Sequence, residues 1–159
     1  MVRKTLSALL AAAIFAGSSL LSPCGMSAFQ LSESLVEPMD AYAGYFLEAE
    51  KESGVNAVFL VSIAALESGW GSSKAAKERN NLFGWTNPDG SLTRFDSVQE
   101  CISHVSNKLS ENYLQEDGLY FNGCTVEGIG KRYCETDAWA DAVKELMIYI
   151  GGEDYADQK

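Results

Sequence analysis

The chain has 159 residues, of which 47% are hydrophobic, 21% charged and 11% aromatic, with only 3 Pro and 14 Gly. That composition excludes a disordered acidic tail, a collagen-like fibre and a low-complexity linker, and the length suits one domain. The 12 basic and 22 acidic residues give a formal net charge of −10, and no basic run follows residue 4, which argues against a nucleic-acid binder because phosphate neutralisation needs clustered Lys and Arg.

At the N-terminus, Arg3 and Lys4 precede an apolar run from Leu6 to Ala16. This is the order of a secretory signal peptide, and the run, even extended to Leu21, is short and Ser/Gly-rich for a membrane span of about 20 strongly apolar residues. The pattern predicts a leader over residues 1–28, with Ala28 a candidate for the last residue before a cut that Met26 fits poorly, and a protein that is secreted or held in a bacterial cell envelope. The leader carries both Arg3 and Lys4 and no acid, so its loss leaves 10 bases against 22 acids, a balance of −12. A second reading starts from Leu21-Ser22-Pro23-Cys24, which resembles a lipoprotein cleavage box apart from Pro23; membrane attachment is expected only through lipid on Cys24. Beyond residue 28 stand Cys101, Cys124 and Cys134, an odd number. Cys124 and Cys134 are close enough in sequence to pair, and buried inert thiols are the equal alternative. With a single His104 and no zinc-like spacing, neither a metal nor a cofactor is expected.

Apolar spacing predicts a first helix from Glu33 to Ser53, ended by Gly54, and a second from Ala57 to Leu66 capped by Asn56. The second is apolar on every side except Ser62, so it belongs inside the core. A short helix is expected over Ser72–Arg79, then a loop or small β-hairpin from Asn80 to Phe95 around Asn87-Pro88-Asp89-Gly90. Ser97-Val98-Gln99-Glu100 has the form of a capping box and opens a helix through Ile102, Val105, Leu109 and Tyr113. Thr125 begins a short helix through Val126, Ile129 and Tyr133. Asp137 caps a last one, with Trp139, Val143, Leu146, Met147 and Ile150 on one face. The expected fold is mainly α with a minimal β-hairpin, a domain over residues 29–152, and a polar, frayed tail over 153–159.

Glu67 stands where ordinary design places Lys or Arg, at the C-terminal end of the most apolar helix. Partial desolvation and the helix dipole there would both favour a protonated carboxyl, the form a general acid needs. The plainer alternative is a Glu that turns out to solvent. Gly69-Trp70-Gly71 follows it, and Trp70 offers a flat face of the kind that packs on sugar rings. The second cluster, Asn80-Asn81-Leu82-Phe83-Gly84-Trp85, combines amides suited to hydroxyl and N-acetyl groups with aromatic platforms; a turn whose Leu82 and Phe83 enter the core is the alternative.

These two clusters in this order, with Phe95-Asp96-Ser97 and the closing Ile129-Gly130-Lys131-Arg132-Tyr133-Cys134 and Trp139-Ala140, resemble the glucosaminidase domain of bacterial peptidoglycan hydrolases. The resemblance covers roughly Asp40 to Ile150. It implies a lysozyme-like fold with a groove for a glycan strand, Glu67 as the catalytic acid and Tyr133 close to it. It also implies sugar subsites lined by Asn81, Phe83 and Trp85, with peptidoglycan as the partner; Trp70 is expected to bind sugar as well, and the protein is expected to be a monomer without a cofactor. Many members carry a second acid after the Asn-Leu-Phe-Gly motif, whereas here Trp85–Phe95 holds only Asp89. A single-acid scheme therefore fits better than a two-carboxylate inverting one. The competing classes are a catalytically silent peptidoglycan-binding module and a secreted interaction protein that uses its acidic surface.

Overall fold

The structure, a computed structural model, describes residues 19–134 and 137–156, with the backbone alone at Asp137. The leader's apolar run, the last tail residues and the capping role expected of the Asp137 side chain lie outside the described residues.

Seven α-helices form the described fold: α1 Ala28–Glu33, α2 Ala43–Ser53, α3 Ala57–Ser68, α4 Lys74–Arg79, α5 Val98–Leu109, α6 Val126–Tyr133 and α7 Asp137–Gly151. α3 is the axis. Every residue from Ala57 to Ala65 is buried, its start is capped by the Asn56 side chain accepting from Phe59 N–H at 3.1 Å, and its one mid-helix hydroxyl, Ser62, donates to the Val58 carbonyl. An all-apolar helix needs cover on each side, and α7 and α2 pack against it, with α5 backing α2.

The single helix expected from Glu33 to Ser53 is instead α1, a 3₁₀ turn over Met39–Tyr42, and α2. Pro38 is the reason: it lacks an N–H and disfavours helical backbone at Glu37, so the apolar 3–4 spacing runs across a break. The hairpin between α4 and α5 is as small as expected, a lone antiparallel bridge between Thr86 and Leu92 closed over the Asn-Pro-Asp-Gly turn. A π-helical turn, Ser110–Leu114, extends α5.

Packed residues continue on both sides of 29–152. Leu20 is in the core, its carbonyl accepts from Asn56 N–H at 2.9 Å, and Ser27 with Gln30 forms a capping box on α1. The buried Glu50 carboxylate accepts from Cys24 N–H at 2.8 Å and from Ala57 N–H at 2.7 Å, tying residues 19–27 to the N-terminus of α3. At the other end, Glu153–Tyr155 is a 3₁₀ turn rather than frayed chain. Tyr155 is buried there and its hydroxyl accepts from the Asn56 amide at 3.1 Å.

Candidate active site

The Glu67-Ser68-Gly69-Trp70-Gly71 run is a left-handed turn that ends α3. Gly69, Trp70 and Gly71 have φ of 54°, 57° and 77°, a region that glycine enters freely and Trp70 does not. Ser68 holds the turn, donating to the Ala64 carbonyl and accepting from Gly71 N–H at 2.7 Å. The turn leaves Glu67 in the last turn of α3, exposed. The desolvation expected from sequence is therefore not what surrounds this carboxylate.

What surrounds it is aromatic. Glu67 lines a cavity of about 350 Å³ with Phe83, Gly84, Trp85, Thr86, Tyr113, Tyr133 and Cys134. The loop after α4 supplies one wall, the π turn supplies Tyr113, and the end of α6 supplies Tyr133. Burial, and after it the negative charge of Glu67, pushes the Tyr133 phenol far above its ordinary value, so it is a neutral O–H at any working pH. Burial raises Tyr113 as well. From α7, the Trp139 indole N–H donates to Glu67 Oε1 at 3.0 Å, and its ring lies 5.1 Å from that of Tyr133. Gly130 allows that approach: a Cβ there would meet the Trp139 ring at 3.2 Å.

Asn81 is placed differently from the sugar contact expected of it. It is buried, its Oδ1 accepts from Trp85 N–H at 2.9 Å, and its Nδ2 donates to the carbonyls of Trp85 and Thr93. Both amide hydrogens and the amide oxygen hold the turn that presents Trp85 to the cavity. Asn80 ends α4 in the left-handed conformation, φ 53°, and donates to the Phe95 carbonyl. Phe83 is nearly covered yet reaches the cavity wall, and Trp85 rests edge-on against His104. Leu82 is core, and Phe83 is buried while also lining the cavity.

Trp70 is not among the residues lining the Glu67 cavity. It lines a second, more apolar one of about 610 Å³ with Val36, Leu66, Leu146 and Tyr149, its ring 5.9 Å from Tyr149. Sequence reasoning missed Tyr113 as a wall residue and Trp139 as a partner of the acid, having read both as helix-face positions. The available signal for Trp139 was chemical: a buried indole N–H needs an acceptor.

The glucosaminidase family profile, described as mannosyl-glycoprotein endo-β-N-acetylglucosaminidase, matches residues 43–156. A Streptococcus pneumoniae protein that carries the provisional name endo-β-N-acetylglucosaminidase is 35% identical over 136 residues, 80% of this chain and 20% of that protein. The chain thus spans about a fifth of the length of the curated relatives it matches. Among solved structures, a catalytic mutant of S. aureus autolysin E in complex with the disaccharide NAG-NAM is similar with a TM-score of 0.66 and 21% identity, over 82% of this chain and 69% of that one. The catalytic domain of the autolysin Auto from Listeria monocytogenes gives 0.60 and 18%, over 82% and 89%. At such identities the structures establish the fold, a mainly helical, lysozyme-like one. The family match covers most of the chain and includes Glu67 and both aromatic walls, and on it the chain belongs to the glucosaminidase family of glycoside hydrolases.

Proposed function

We propose that this domain hydrolyses the glycan backbone of peptidoglycan as an endo-β-N-acetylglucosaminidase, cutting the GlcNAc–MurNAc linkage with Glu67 as its one catalytic acid, in a protein exported to the cell envelope. The observation that carries this reading is the placement of an exposed carboxylate against a wall of Phe83, Trp85, Tyr113 and Tyr133 in one cavity. The family match and the likeness to an autolysin solved with NAG-NAM support it.

No second acid lines that cavity among the described residues, which favours a substrate-assisted course. Protonated Glu67 gives its proton to the bridging oxygen as the C1–O bond breaks. The carbonyl oxygen of the substrate's own 2-acetamido group closes on C1. Water then opens that ring at C1, and the Glu67 carboxylate takes the water's proton, restoring the acid. The neutral Tyr133 hydroxyl is suited to steady the acetamido group or the incoming water. Phe83 and Trp85 would stack on sugar rings, with Asn81 acting on substrate only through Trp85, and Trp70 stands outside this set.

Purified protein should clear cell walls in a zymogram, and mass spectrometry should find soluble fragments with GlcNAc at the new reducing end. Glu67→Gln should abolish both while leaving the thermal melt in place. The lack of a second carboxylate also favours one competing reading, a silent module that grips glycan without cutting it. Strand binding with no clearing by the unaltered protein would select that reading.

A further inference from the structure

We infer that Trp139 is a positioning residue for the reaction: its indole N–H fixes the orientation of the Glu67 carboxyl and determines which oxygen carries the proton. This rests on the reading of Glu67 as the acid. The two residues are 72 positions apart in sequence and meet at 3.0 Å, Nε1 to Oε1, across the α3–α7 contact. Trp139 is itself held firmly. It is buried, its ring packs on Tyr133 at 5.1 Å, and the bare Cα of Gly130 gives it room.

An indole N–H donates and never accepts. In a neutral carboxyl the carbonyl oxygen is the better acceptor, so Oε1 pairs with Trp139 and the acidic proton sits on Oε2. An exposed glutamate at a helix end otherwise has several rotamers and two equivalent oxygens. Holding one oxygen leaves the other with a defined direction, which is what in-line proton transfer to a bridging oxygen requires. The same contact strengthens during the step. As Oε2 releases its proton the carboxyl becomes an anion, and N–H···O becomes a charge-assisted bond, stronger than the neutral one it replaces. An interaction that is stronger in the transition state than in the ground state raises kcat and leaves KM nearly alone.

The test compares four proteins on solubilised glycan strands: the unaltered chain, Glu67→Gln, Trp139→Phe, and the chain with the benzothiophene isostere of tryptophan at position 139. The isostere keeps the shape and aromaticity of the side chain and lacks only the N–H, so it separates hydrogen bonding from packing even where the Phe variant melts early. Removing one preorganised donor commonly costs on the order of 100-fold, so kcat should fall by about 10- to 100-fold in the isostere, with KM within about 3-fold of the unaltered protein. A kcat within about 2-fold of the unaltered protein would overturn the role of Trp139 while leaving Glu67 as the acid. A rise in KM at constant kcat would overturn it too, by making Trp139 a sugar contact. Retained activity in Glu67→Gln would overturn the underlying reading itself, whatever position 139 does.

Discussion

Asn81 spends both amide hydrogens and one oxygen lone pair on backbone groups, and its loss has a definite cost. Replacing it by Ala strands the Trp85 N–H and the Thr93 carbonyl beside a buried site, while the Trp85 carbonyl keeps its bond from Thr93 N–H. Each buried group left unmet costs about 1–3 kcal/mol, so Asn81→Ala should lower stability by about 2–4 kcal/mol in urea unfolding. It should also weaken glycan binding, since Trp85 loses its mount. Gly71 is the second position where one atom matters. Its φ of +77° is unfavourable for any L side chain, and a Cβ there would lie 3.3 Å from both Pro38 and Met39. Gly71→Ala should cost about 1–3 kcal/mol by the same measurement, without touching the Glu67 cavity.

At the scale of elements, the sequence was most readable where local chemistry decides the outcome. Asn56, Ser97 and Thr125 each cap the helix that follows, and Gly54 and Gly152 turn left-handed where helices end. The capping box at Ser97 is half of one: Ser97 accepts from Glu100 N–H, whereas the Glu100 carboxylate reaches past it to Asp96 N–H at 2.7 Å. What could not be read is what depends on distant partners. The Trp139–Glu67 bond and the separation of Trp70 from Glu67 are set by how α7 lies on α3, and no local pattern encodes that crossing. The segment before residue 29 was hidden for another reason. Its apolar and small residues suit a leader, and only the buried carboxylate of Glu50 reveals that Cys24 N–H is needed inside the fold. A chain begun at Phe29 would expose the seat of Leu20 and leave that carboxylate short of a donor. Burial of one such side chain and one buried hydrogen bond together are worth about 3–5 kcal/mol, so the thermal midpoint should fall by many degrees relative to a chain begun at Ser19.

For the whole molecule, charge and burial make opposite demands on solution conditions. The Cys101 thiol is pushed up to about 12 by burial, from an ordinary 9.0, and the Tyr155 phenol up to about 12, from 10.0, again chiefly by burial. Both are held neutral by the fold, so their contribution is complete below the unfolded values and is lost as pH rises through the window from about 9 to 12. The melting temperature should be flat from pH 6 to 8 on this account and fall steeply above about 9, with a shallower fall in Tyr155→Phe. The net charge of −10 acts on function instead. A bacterial wall is itself anionic, and repulsion over a Debye length of about 10 Å at 0.1 M salt slows encounter, so wall clearing should rise with ionic strength. Clearing that falls as salt is added would contradict that expectation.

The carboxylate on α3 is made early, and everything that gives it direction comes late: the ring of Tyr133 from the end of α6 and the indole of Trp139 from the first turn of α7. A chain cut short of α7 would therefore carry its acid without the indole that orients it, since Trp139 meets Glu67 and packs on the Tyr133 ring only once α7 has closed on α3.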